Sequence, residues 1–117
     1  MIENEFIWSL YETVDQKNAQ RLSNFLGENV RFRLGNYPAV TGKKDVIDVN
    51  DTFFRSIDSM SHQIDGFWSV GNTLICNGSV DYTRLDGSSY SAAFATILQM
   101  EQGKIVDYLV YADLSGL

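Results

Sequence analysis

The stretch Ile75–Leu114 constrains the fold more tightly than any other part of the chain. It holds three apolar-rich runs, Ile75–Thr83, Tyr90–Met100 and Ile105–Leu114, separated by two turn signals. Asp86-Gly87 suits the positive φ angles of a tight hairpin, and Gln102-Gly103-Lys104 turns the chain a second time. Upstream, Gly71-Asn72 marks a further turn and places a strand over His62–Val70. Connections this short join antiparallel neighbours. The pattern therefore predicts a four-stranded antiparallel sheet filling the C-terminal half.

The N-terminal half reads differently. Phe6, Ile7, Leu10 and Val14 recur at the spacing of one helix face, so a helix is predicted over Ile2–Val14. After the polar break Asp15–Asn18, the residues Ala19, Leu22, Phe25 and Leu26 give a second short helix, with Asn18 as N-cap and Gly27 as its stop. Val30, Phe32 and Leu34 alternate with Arg31 and Arg33, the period of a half-buried strand. Gly35–Pro38 turns the chain, and Ala39-Val40 reads as a strand fragment. A third helix opens after Thr41-Gly42, with Thr41 as N-cap. Its apolar positions are Val46, Val49, Phe53, Ile57 and Met60. Helices on one face of a curled antiparallel sheet make an α+β fold whose cone encloses a natural small-molecule pocket.

The totals set bounds. The 117 residues suffice for one core, so one domain is expected over residues 1–117. The 15 acidic and 9 basic residues leave a net charge of -6, which argues against a nucleic-acid surface. No apolar run approaches the roughly 18–20 residues of a membrane span. Met1–Glu5 carries two acids and no base, unlike a secretory leader. Cys76 is the single cysteine, so there is no internal disulfide and no cysteine-based metal site. The expectations are a cytoplasmic protein without cofactor or metal, and without a nucleic-acid or membrane partner.

The chain resembles the NTF2-like superfamily, and within it the SnoaL-like group related to ketosteroid isomerases and limonene epoxide hydrolase. The resemblance is carried by Leu22–Phe32, Val40-Thr41-Gly42-Lys43, Gly103-Lys104-Ile105 and Tyr111-Ala112-Asp113-Leu114, and by the order of elements over nearly the whole chain. It implies a cone-shaped domain, a curved antiparallel sheet packed against three N-terminal helices, often dimeric through the outer face of the sheet. For that face the expected residues are Leu74, Val80 and Tyr82. The catalytic sets of the two relatives are not filled. The positions of the ketosteroid isomerase base, protonated Asp and Tyr fall at Leu34, Thr96 and Leu10, with Tyr11 beside the last. The Arg-x-Asp unit of the epoxide hydrolase falls at Asn77-Gly78-Ser79, its second Asp at Val110, and its Tyr and Asn at Phe32 and Leu34.

Two titratable residues remain as acid–base candidates. Asp81 shares the alternation of Asn77 and Ser79, so it faces the cone if they do; otherwise it sits at the rim or pairs with Arg84. His62 is the only histidine and lies at a strand start near the expected mouth, where it is either an acid–base group or a hydrogen-bonded structural residue. Trp8, Tyr11, Phe32, Phe54, Phe94 and Tyr108 are candidate pocket lining, with Leu34, Asn77, Ser79, Thr96 and Val110 from the matched positions. The aromatic content, 7 Phe, 6 Tyr and 2 Trp, suits a hydrophobic, polycyclic or terpenoid-like ligand. Cys76 alternates opposite to Asn77 and reads as packed. Two readings stand: a cofactor-free isomerase, cyclase or hydratase using His62 and Asp81, or a non-catalytic ligand-binding or dimeric interaction module.

Overall fold

The computed structural model describes residues 2–117; residue 1, part of the leader argument above, lies outside them. The chain runs α1 (Ile2–Asp15), α2 (Ala19–Leu22), a 3-10 turn (Ser23–Phe25), β1 (Leu26–Leu34), β2 (Val40–Thr41), α3 (Lys43–Arg55), β3 (Ile57–Val70), β4 (Thr73–Arg84), β5 (Ser89–Glu101) and β6 (Lys104–Ala112). The strands form one curved sheet in the order β2-β1-β6-β5-β4-β3. β3 to β6 are the expected antiparallel meander. β1 joins it in parallel along β6, with Phe32 opposite Tyr108, so the sheet is mixed rather than wholly antiparallel. The physical reason is the length of chain between β1 and β6. Parallel partners need a long crossover, and α3 with the four strands β2 to β5 supplies it.

Several boundaries differ from the spacing. α3 stops at Arg55, where the Ser56 hydroxyl donates to the Phe53 carbonyl at 2.6 Å. Ile57 and Met60 are buried residues of β3, although they continue the helical spacing. Gly42, not Thr41, caps α3, because its φ of 101° is accessible to glycine at little cost. Thr41 pairs with Arg31 in the sheet instead. Gly27 lies inside β1, and the 3-10 turn before it ends the second helix.

The core lies between the helices and the concave face. α1 contributes Ile7, Leu10, Tyr11 and Val14, and α3 contributes Val46 and Phe54. On β4 it is Leu74, Cys76, Val80 and Tyr82 that turn inward and are buried, while Asn77 and Asp81 are exposed on the outer face. Leu74, Val80 and Tyr82 are thus core rather than outer face. Period-two alternation sorts a strand into two sets without saying which set the helices will cover, and the opposite choice inverts every residue.

Curvature has a local cause. β3 carries an irregularity between Ile64 and Gly66 opposite Asn77-Gly78, and such a bulge bends and twists its strand. There the two backbones come very close. A Cβ on Gly78 would lie 1.8 Å from the Gln63 carbonyl oxygen. Gly78→Ala is therefore expected to lower stability by about 3 kcal/mol or more, since backbone rather than a pliable side chain must move. Urea denaturation measures it, and a loss within about 0.5 kcal/mol would contradict this close approach.

Candidate functional site

Three elements converge on the concave face at α1's C-terminal end. Tyr11 and Asp15 lie four residues apart on α1, one above the other on the same face. Lys17, just past the helix, donates through Nζ to the carbonyls of Ile57 at 3.0 Å and Asp58 at 2.8 Å. It thereby ties the end of α1 to the start of β3. That tie sets Asp15 against His62. The Asp15 Oδ1 lies 2.6 Å from His62 Nδ1, and its Oδ2 accepts the His62 backbone N–H at 2.9 Å. The side chains are 26 % and 7 % exposed. A helix C-terminus is an unfavourable place for a carboxylate, and these two donors compensate for it. Accepting Nδ1–H also selects the tautomer whose Nε2 carries a lone pair. Nε2 makes no hydrogen bond to a protein group among the described residues.

The ring of His62 packs between Tyr11, 4.5 Å away between ring centroids, and Phe94, 5.1 Å away and edge-on. Behind them lies a buried polar knot. The Tyr11 hydroxyl meets Thr96 Oγ1 at 2.5 Å, and Thr96 stands opposite Cys76 in the β4–β5 ladder. Burial, aided by neighbouring Tyr108, holds the Tyr11 phenol well above its ordinary range. Burial likewise raises Tyr108 and Tyr82, and pushes the Cys76 thiol up to about 11. All four groups are protonated at neutral pH, as they would be in water, and burial carries that state to higher pH.

His62 and Tyr108 line a narrow cavity of about 30 Å³. This is the scale of one water or one small functional group, not of a polycycle. Of the residues singled out from sequence, Tyr11, Phe32, Leu34 and Phe54 line it, as do Phe94 and Val110. Thr96 is buried behind Tyr11. Trp8 is 52 % exposed on the outer side of α1. Asn77 and Ser79 lie on the outward-facing set of β4. Asp81 is exposed there too, where it accepts the Ser91 hydroxyl at 2.6 Å. His62 pairs with Val80 in the ladder and Asp81 with Ser61, so His62 and Asp81 point to opposite faces and form no dyad. The inverted parity of β4 accounts for Asn77, Ser79 and Asp81.

Asp15, Asn50 and Tyr82 were not legible as site residues. Asn50 lines the cavity with its Nδ2 donating to the Val46 carbonyl at 2.9 Å. A signal for Asp15 existed: it continues the inward stripe four residues beyond Tyr11. Among the described residues no three His, Cys, Asp or Glu side chains converge as a metal site would require.

Comparison with known proteins places the fold. The model of the SnoaL-like domain matches residues 9–108. No curated protein is significantly similar in sequence. Solved structures are. An NTF2-like protein of unknown function from Burkholderia pseudomallei superposes with a TM-score of 0.87 at 18 % identity, covering 99 % of this chain and 94 % of that one. A protein with a ketosteroid isomerase-like fold from Catenulispora acidiphila, in complex with trimethylamine, gives 0.85 at 13 % identity over 95 % and 87 % of the two chains. A candidate SnoaL-like polyketide cyclase from Jannaschia gives 0.84 at 12 % identity over 97 % and 87 %. Identities this low speak for the fold.

The raised thiol and phenols make stability fall at alkaline pH. In the unfolded chain they ionise near 9.0 and 10.0, whereas the folded state keeps its protons longer. Their contribution is complete below pH 9 and is lost as pH rises from there, at up to about 1.4 kcal/mol per pH unit for each group. Urea denaturation at pH 8, 9, 10 and 11 should show this decline. Cys76→Ala should make it shallower between pH 9 and 10; equal slopes for both proteins would contradict a buried neutral thiol.

Proposed function

Because the chain belongs to the SnoaL-like domain family, we propose that its cavity admits the reactive group of a small, largely apolar molecule, and that His62, oriented by Asp15, moves a proton there without a cofactor. The observation that carries this reading is the 2.6 Å contact between His62 Nδ1 and Asp15 inside the concave face, with Nε2 left unpartnered among the described residues. A carboxylate that accepts Nδ1–H leaves Nε2 able to take a proton. The natural reaction class is proton abstraction from carbon next to a carbonyl, which serves isomerisation and cyclisation alike. Charge developing on the carbonyl oxygen needs a donor, and the Tyr108 phenol, whose proton burial holds more tightly, lines the same cavity. This arrangement differs from the relatives' catalytic sets, whose matched positions are Leu34, Thr96 and Val110.

The domain is also proposed to pair with a second copy through the outer face of the sheet. Trp68 and Tyr111 are 51 % and 43 % exposed there, and half-buried Ile75, Ile97 and Leu109 sit side by side on neighbouring strands. Ile97→Asp should shift the molar mass measured by light scattering from two chains to one. A single chain before substitution would remove the pairing proposal.

The chemistry is tested by deuterium exchange at the α-carbon of 2-butanone in D₂O, followed by proton NMR. The wild-type protein should accelerate exchange. His62→Ala should lower the acceleration about 100-fold or more, and Asp15→Asn should lower it less, with the fold intact by circular dichroism. Binding of the ketone with no acceleration, or equal rates in all three proteins, supports the non-catalytic ligand-binding module instead.

A further inference from the structure

The cavity is far too small for the ligand of an ordinary binding site. Its 30 Å³ compares with the roughly 300–1,000 Å³ of typical ligand pockets. Beside it, between α3 and the β1–β2 connection, lies an open groove of about 410 Å³. The two spaces share three walls: Phe32, Leu34 and Phe53 line both. On its far side the groove is bounded by Pro38, Val40 and Val49, and none of its lining side chains is charged. That is notable in a chain with 24 charged residues out of 117.

We propose that the groove is the body site for the cavity's own ligand. The ligand class is a molecule with one compact polar head, a carbonyl-sized group, on an uncharged apolar tail. The head passes Phe53 to reach His62, and the tail stays in the groove. This rests on the reading of the cavity given above and names its substrate class. The occupant follows from the shared walls. Anything larger than a single functional group that reaches His62 by this route must leave its remaining atoms against Phe32, Leu34 and Phe53 on the groove side. The absence of charge in the groove excludes an ionic tail, because a desolvated charge there would have no partner. A polycycle held wholly inside the cone is excluded by volume.

Affinity for a homologous series reads this directly. The 2-alkanones from acetone to 2-nonanone are titrated into the protein and followed by chemical-shift changes in amide NMR spectra. Affinity should rise about three- to fourfold for each added methylene, with the shifts of longer members spreading to Val49 and Thr52. Val49→Arg and Thr52→Arg, both on exposed positions of α3, should each flatten that rise; two variants guard against one failing to fold. Affinity independent of chain length, no binding by any member, or a rise unaffected by both folded variants would overturn the proposal. The outcome is separable from the chemistry. A length dependence that persists in His62→Ala while exchange is lost supports groove and base together. Length dependence without exchange in the wild type keeps the groove and removes the base. Exchange without length dependence does the reverse.

Discussion

The close approach of β3 and β4 at Gly78 is the constraint on which the rest depends. A sheet of six strands without a bend would present a flat face, and two helices laid on it would leave no interior. The irregularity at Ile64–Gly66 and the bare Cα of Gly78 let β3 bend while it stays paired with β4. The concave face then wraps α1 and α3, and residues distant in sequence come to share one small volume. Tyr11 and Thr96, 85 positions apart, meet there through their hydroxyls.

Within that volume, polarity is unevenly placed. Most of the interior is aliphatic and aromatic, which supplies the stability of the domain through removal of apolar surface from water. The polar groups are gathered at one pole, and each has a reason to be tolerated. Thr96 and Tyr11 satisfy one another, Asn50 bonds back to its own helix, and Asp15 takes two donors from His62. His62 lines the cavity beside them, and its Nε2 makes no hydrogen bond to a protein group among the described residues.

The order of elements was readable before any coordinates. Glycine-marked turns divide the C-terminal half into strands, and helical spacing marks α1 and α3. The α3 boundary went astray for a definable reason: Ile57 and Met60 fit a helix period and a bulged strand equally well, and tertiary contacts with the core chose the strand. The parallel pairing of β1 with β6 could not be read at all. Strand order depends on contacts between segments that nothing local in the chain relates.

By itself the sequence determined the number and kind of elements, the antiparallel meander and the aromatic stock of the interior, because turn chemistry and periodicity act over a few residues; its matched motifs carried the likeness to the SnoaL-like fold. The tertiary structure alone decided which face of β4 is inward, and with it that Asp81 lies outside and Cys76 inside. It also decided that the partner of His62 is Asp15, 47 residues earlier, and that the cavity is small with a larger groove beside it. These outcomes share one physical reason. Parity, pairing and volume are fixed by how whole elements pack against each other, and a one-residue change of register would reverse them without altering a single local preference.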